Sequence, residues 1–364
     1  MCELTRDDIF ALIMSGGQGT RLWPLATSRK PKALLSFDGT GTSLLQCTIS
    51  RLSRLMAPGN IFIVAGKAHE EELRLQAHNI PDENIILEPV GRSTLPCAGL
   101  GGLYMKRRDE SGVMIILPGE QLVEDETEFA NLMIRAAEAA RNYNCIVTLG
   151  IKPAFPATGF GYIQLGEEIS CREGVHIFRI RGFAEKPDEQ RASEFLSSGN
   201  YLWNSGMFIL PVPLLFEMIS IFAPDIHDGL LAISKAIGTP EEKGTMERVY
   251  SNMRSVSIDH AIMEKAENTL VIPADMGWND MGTWQEVAEV WEKDANLNSC
   301  FGRYVGIDSN RCIIYSPDKL VATVGVQDLI VVETPDGLLL CARDRADDVK
   351  KLVQKLMEEG LGRV

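Results

Sequence analysis

The stretch Met14-Ser15-Gly16-Gly17-Gln18-Gly19-Thr20-Arg21-Leu22-Trp23-Pro24-Leu25, continuing to Lys30-Pro31-Lys32, decides how this chain is read. It follows a short apolar run, Ile9 to Met14, that predicts a buried first strand. A strand that opens into a glycine-rich turn, with an arginine and two lysines behind it, suits phosphate. Gly16, Gly17 and Gly19 admit positive φ at little cost and let backbone N–H groups approach an anion. Arg21 offers a planar fork of donors, and Lys32 a point charge. No Gly-Lys-Ser/Thr closes a Walker A loop here. Leu22 stands where the dinucleotide fingerprint needs its third glycine. On its glycines alone the stretch reads equally as a plain turn; Thr-Arg-Leu and Pro-Lys make it specific.

The chain has 364 residues, 45% hydrophobic and 24% charged, with a formal net charge of -14. That composition predicts a globular protein with one large α/β domain and a smaller one. So acidic a chain is a poor nucleic-acid or anionic-membrane binder, and its cations must be concentrated locally to hold anionic substrates. Its eight cysteines are scattered, with no Cys-x-x-Cys pair and no histidine at zinc spacing, so free thiols and a reducing cytoplasm are expected. The five histidines read as isolated core or surface residues. The acidic N-terminus does not resemble a secretory leader, and no apolar run approaches the roughly 20 residues of a membrane span.

Apolar periodicity predicts strands over 33–37, 61–65, 84–87, 113–117, 145–150, 177–182 and 270–273, and helices over 43–56, 69–78, 97–106, 127–143, 190–198, 214–222, 226–237, 240–251 and 284–291. Alternating helices and buried strands imply crossovers and a largely parallel sheet, whose ligands sit beyond the carboxyl ends of the strands. From about residue 298 the texture changes to short strands over 305–308, 312–315, 321–324, 329–334 and 338–342, then an amphipathic helix over 345–359. The expected domains are therefore 1–297 and 298–364, the second a small β domain, in outline a partial β-helix, with a closing helix.

The opening string resembles the signature of the sugar-1-phosphate nucleotidylyltransferases, and Trp23-Pro24 is similar to the mannose-1-phosphate guanylyltransferase branch. The resemblance runs through nearly the whole chain. It implies a Rossmann-like, mostly parallel sheet flanked by helices, of the GT-A-like nucleotidyltransferase type. Glu88-Pro89-Val90-Gly91-Arg92-Ser93-Thr94 resembles a loop that lies along the nucleotide, with Ser93 for the usual Asn; Glu88, Arg92 and Thr94 are its implied contacts, beside Gly16, Gly17, Gly19 and Thr20. A carboxylate can accept from N1–H and the exocyclic amine of guanine together, which makes GTP the nucleotide to consider. Thr158-Gly159-Phe160-Gly161 implies backbone near the sugar at Gly161. Glu185-Lys186-Pro187 implies sugar hydroxyls on Glu185 and the sugar phosphate on Lys186, and Asn204 is a further hydroxyl partner. Ser257-Ile258-Asp259 reads as a helix start capped by Ser257 or Asp259, with Asp259 a weaker site candidate. Trp278-Asn279-Asp280-Met281-Gly282-Thr283-Trp284 implies that Asp280 is a metal-binding carboxylate.

One motif departs from the pattern. Pro118-Gly119-Glu120-Gln121 stands where the family has Pro-Ala-Asp-His. Glu120 then becomes the second ligand to Mg²⁺ (or Mn²⁺), with an extra methylene that moves its oxygen by about a bond length, and Mg²⁺ demands near-ideal geometry. Either the backbone compensates, through Gly119, or activity is reduced, or another sugar is used. The implied reaction carries GMP from GTP to α-D-mannose 1-phosphate, with Arg21, Lys32 and Lys186 as the catalytic cations and GTP and a hexose 1-phosphate as partners. Two other readings stay open: a related enzyme for glucose or heptose 1-phosphate or another nucleotide, and a non-catalytic nucleotide-sugar-binding regulator. Relatives often dimerise, so a homodimer is one state to test. Bifunctional relatives carry a further cupin-type isomerase domain, for which this sequence has no residues.

Overall fold

The computed structural model describes residues 5–361. The chain forms two compact units. The first holds the chain up to Gly16, Ile49–Gly119 and Val123–Trp278; the second holds Gly17–Thr48, Glu120–Leu122 and everything from Asn279 onward. The second unit thus draws segments from both sides of residue 298. Helix α1 (Leu44–Leu52) and the two-residue strands β5 (Leu122–Val123) and β11 (Trp278–Asn279) lie where the chain passes between units.

The first unit is built on nine strands: β1 (Ile9–Ser15), β2 (Ile61–Gly66), β3 (Ile85–Glu88), β4 (Val113–Pro118), β6 (Ile146–Ile151), β7 (Tyr162–Arg172), β8 (Val175–Ala184), β9 (Tyr201–Pro211) and β10 (Thr269–Ala274). Their order is β3-β2-β1-β4-β9-β6-β10-β8-β7. Parallel pairing joins β3, β2, β1 and β4, and also β6 and β10. The expected crossovers are α2 (Glu70–Gln76), α3 (Thr94–Arg108) and α4 (Glu126–Tyr143). β9, β8 and β7 run antiparallel to their neighbours. The sequence explains part of that: β7 and β8 are joined by Glu173-Gly174, both at positive φ, and a two-residue hairpin can only join antiparallel strands.

Helices α5 (Glu189–Ser198), α6 (Val212–Phe222), α7 (Pro224–Ala236) and α8 (Glu242–Thr245) complete this unit. The predicted helix over 240–251 is α8 followed by a π-turn at Met246–Tyr250, and the predicted start at Ser257 leads into another π-turn at Asp259–Met263. Leu12 of β1, Phe62 of β2, Leu100 of α3, Leu215 of α6 and Leu230 of α7 share one buried core. Small residues let α3 settle on it: a methyl at Gly101 would stand 2.4 Å from Leu12 Cδ1.

In the second unit, α9 (Trp284–Glu289), β12 (Ser299–Ile307), β13 (Ile313–Val324), β14 (Leu329–Thr334), β15 (Gly337–Ala342) and α10 (Val349–Glu358) follow one another. β12, β13 and β14 stack in parallel, as successive β-helix rungs do, and β15 returns antiparallel. Four strands form where five were expected, because 312–315 and 321–324 are one continuous strand. The predicted strand over 33–37 does not form. Lys32–Leu34 is a 3-10 turn, all three residues buried, entered through Pro31. A segment buried on every side has no polar face to alternate, so its apolar run did not distinguish strand from turn. Leu22, Trp23, Trp284, Ile313, Ile330 and Val353 form the core of this unit.

Among the described residues no helix is long and apolar enough to cross a membrane. Cys97, Cys145, Cys171, Cys300, Cys312 and Cys341 are free thiols; Cys2 lies outside the described residues.

Gly101→Ala should destabilise the protein by about 1–3 kcal/mol despite the better helix propensity of alanine, because Leu12 is fully buried and cannot yield. Gly244→Ala on α8, with open space around it, should be neutral or stabilising. Urea denaturation of the two variants checks the contrast.

Candidate active site

In the second unit the site is assembled around Lys32. The glycine-rich turn and the 3-10 turn behind it bury this side chain to 3% exposure. Its Nζ donates to the Asp280 carbonyl at 2.5 Å and lies 3.6 Å from Glu120 Oε1 and 3.8 Å from Asp280 Oδ2. A buried ammonium needs such anions, since removing a charge from water costs several kcal/mol. The two carboxylates predicted as metal ligands, 160 positions apart in sequence, therefore meet on one cation. Burial and the nearby Asp280 push the Glu120 carboxyl above the usual range, while Lys32 pulls it down. Glu120 Oε2 is buried without a hydrogen-bond partner.

The longer Glu120 places its carboxylate beside Gly17. A methyl on Gly17 would lie 2.9 Å from Glu120 Oε1 and 3.1 Å from Oε2, so a side chain there would displace this carboxylate from its place beside Lys32. Gly119 has no positive φ. Gln121, in place of the expected histidine, donates its amide to Asp280 Oδ1 at 3.3 Å. Among Gly16, Gly17 and Gly19 only Gly19 takes positive φ, at 66°. Gly19 caps the 3-10 turn Thr20–Leu22, which carries Arg21. Arg21 is paired with Asp347 at 3.0 Å, a partner the sequence did not suggest. Glu286 was also missed. Its carboxylate accepts from Gly282 N at 2.8 Å and Thr283 Oγ1 at 3.2 Å, and burial together with Asp280 raises its pKa. The capping-box spacing Thr283-x-x-Glu286 was the available signal.

In the first unit, the loop after β3 is held by residues of the segment 250–258. Glu88 is buried and its Oε2 accepts from Tyr250 OH at 2.6 Å; burial raises its pKa against that bond. Its Oε1 lies where a methyl on Gly16 would come within 3.1 Å. Arg92 donates to the Ser251 carbonyl and its Nε is buried without a partner. Thr94 Oγ1 accepts from Ile258 N at 2.9 Å, so its hydroxyl fastens the first turn of α3 to the segment at 256–258.

The predicted sugar residues converge in the same unit. Asn204 on β9 donates Nδ2 to Asp259 Oδ1 at 2.9 Å, and its Oδ1 lies 3.0 Å from Thr148 Oγ1. Glu185 is paired with Lys186, and a methyl on Gly161 would stand 2.7 Å from Glu185 Oε2 and 3.4 Å from Asn204 Cβ. The helix start is capped by Ser257, which accepts from His260 N, and not by Asp259, whose side chain turns to Asn204 instead. Phe160 packs edge-on against Trp203 and Trp278, with ring centroids 5.1 and 5.5 Å away.

Burial, with Glu185 adding to it, pushes the Asp259 carboxyl up to about 6. A raised carboxyl favours its protonated form in the fold. Its contribution to stability is full below the ordinary value of 3.8 and is lost as pH rises through about 6. Asp259→Asn carries no such term. Between those two pH values its stability relative to the natural chain should rise by roughly 1–3 kcal/mol, read by urea denaturation at each pH. A difference that stays flat with pH would remove the buried acid from this account.

With the geometry in hand, comparison with known proteins is direct. The family model described as nucleotidyl transferase matches residues 10–296, and that described as MannoseP isomerase/GMP-like beta-helix domain matches 302–356. The alginate biosynthesis protein AlgA of Pseudomonas aeruginosa is 36% identical over 96% of this chain and 72% of its own. A mannose-1-phosphate guanylyltransferase of Escherichia coli is 35% identical over 96% of this chain and 75% of its own. The crystal structure described as mannose-1-phosphate geranyltransferase from Thermus thermophilus superposes with a TM-score of 0.85 at 32% identity, covering 96% of this chain and 99% of that one. The chain belongs to the sugar-1-phosphate nucleotidylyltransferase family, in the branch of the mannose-1-phosphate guanylyltransferases.

Proposed function

We propose that this enzyme transfers GMP from GTP to α-D-mannose 1-phosphate, giving GDP-mannose and pyrophosphate. The observation that carries the reading is the buried Lys32 held between Glu120 and Asp280, with one Glu120 oxygen left without a partner. Two carboxylates and an unpartnered hard oxygen suit Mg²⁺ or Mn²⁺. When bound there, such an ion would offset charge on the reacting phosphates.

The chain's own residues account for the rest. A phosphate oxygen of the sugar phosphate attacks the α-phosphorus of GTP in line, the bond to the β-phosphate oxygen breaks, and pyrophosphate leaves. The nucleophile is already anionic, so no general base is needed. What the protein must do is hold two anions together and offset charge at the pentavalent centre. Lys32 and Arg21 would hold the triphosphate, Arg21 exchanging Asp347 for phosphate oxygens. The backbone from Gly16 to Thr20 would approach the same anion. Glu88 would accept from guanine, with Tyr250 fixing the carboxylate and Arg92 and Thr94 holding the loop. Lys186 would meet the sugar phosphate. Glu185 and Asn204 would take hexose hydroxyls, with the backbone at Gly161 close by.

Pyrophosphate release from GTP and mannose 1-phosphate should require Mg²⁺ or Mn²⁺. Asp280→Asn should lower kcat by about 100-fold or more at any metal concentration. Glu120→Asp should be slower by about 10-fold and need more metal, because the shorter side chain leaves the space beside Gly17 and withdraws from Lys32. Turnover with a different nucleotide or sugar phosphate, and none with this pair, would assign the protein to another substrate. Bound nucleotide sugar without turnover on any pair would make it a regulator.

A further inference from the structure

The β7–β8 hairpin carries a cluster that nucleotidyl transfer does not use. Cys171 and His176 pair directly across the ladder, and Glu168 pairs with Phe178. On a regular strand Glu168 and Cys171, three positions apart, would point to opposite faces. The register shift between Glu168 and Ser170 inserts an extra residue and brings both onto the face of His176 and Phe178. The rings of His176 and Phe178 stack on that face with centroids 6.4 Å apart.

The geometry is that of a metal ligand pair with its orienting carboxylate. His176 Nδ1 lies 3.0 Å from Glu168 Oε1, and its Nε2 lies 3.7 Å from Cys171 Sγ. A carboxylate that accepts Nδ1–H leaves the lone pair on Nε2, aimed toward the thiol. Sulfur and nitrogen ligands on one tetrahedral zinc, at about 2.3 and 2.0 Å, stand about 3.5 Å apart. The neighbouring acids are already engaged: Glu167 with Arg179, and Glu173 with Arg135. Glu128 lines the same cavity of about 430 Å³ as Glu168 and His176. The sequence reading of isolated histidines, none at zinc spacing from a cysteine, is corrected here. Five positions across a two-residue turn become direct neighbours.

We propose that Cys171, His176 and Glu168 form a second metal site, specific for a borderline-soft divalent ion such as zinc. The Cys171 thiolate and His176 Nε2 are its protein ligands, Glu168 fixes the imidazole, and solvent completes the coordination. Binding releases the thiol proton to water.

Cobalt(II) titration of the full chain tests this, because only a thiolate ligand gives a sulfur-to-metal charge-transfer band; oxygen ligands such as Glu120 and Asp280 do not. One equivalent of cobalt should produce the band and zinc should displace it. Cys171→Ser should abolish it while leaving pyrophosphate release unchanged, and Glu168→Gln should weaken binding about 10–100-fold. All three residues are exposed, so the fold tolerates these changes, and circular dichroism verifies it. No band, or equal metal uptake at this hairpin by the Cys171→Ser variant, overturns the proposal. So does rapid alkylation of Cys171 in a chain that takes up no cobalt, which would make the cluster a reactive thiol.

Discussion

The burial of one ammonium group governs the second unit. Lys32 has almost no contact with solvent, and it is compatible with the fold only because Glu120, Asp280 and a backbone carbonyl surround it. Those partners come from two parts of the chain, residues 120 and 280, both far in sequence from Lys32. The constraint therefore ties the glycine-rich turn to residue 120 and to the loop before α9, and these segments join the β-helix rungs in one compact unit. Gly17 is part of the same constraint, because its missing side chain is the space in which the Glu120 carboxylate sits.

The first unit follows a different logic. Several of its polar side chains are held by defined side-chain or backbone partners. Tyr250 holds Glu88, Asp259 and Thr148 hold Asn204, and Thr94 ties α3 to the segment before the second π-turn. Partnered polar groups of this kind fix orientation as much as they add stability. A sugar or a base differs from its near relatives by the placement of single hydroxyls or amines, and only groups with fixed rotamers can read that difference.

The departure at Glu120-Gln121 fits this picture. A longer acid and an amide replace a shorter acid and an imidazole, yet the carboxylate still reaches Lys32 and the amide still donates to Asp280. The carboxylate is retained on a longer spacer, an amide stands in for the imidazole, and the longer acid lies beside a glycine that the motif already supplied.

Much of this was legible in the sequence for local reasons. The buried runs at 9–14, 61–65 and 113–117 give parallel strands, and helices between them require crossovers. The Gly-Gly-x-Gly-Thr-Arg string, Glu185-Lys186 and Trp-x-Asp at 278–280 carry their chemistry in consecutive residues, so their types and spacing could be read directly. The closing rungs were read as strands, although their number was not, because a β-helix strand can continue through polar residues once neighbours pair with it. What the sequence could not supply was everything set by distance in space. Nothing local distinguishes Asp259 as a side-chain partner from Asp259 as a helix cap, or shows that Tyr250 and Asp347 reach Glu88 and Arg21. The turn at 32–34 and the strand once expected there have the same apolar content and differ only in what surrounds them. By itself the sequence located most of the parallel strands and the helices between them, and the residue types of each motif, but not β7 or β9. Tertiary structure alone decided which side chains meet, because hydrogen bonds and ion pairs act over a few ångströms, whatever the separation along the chain.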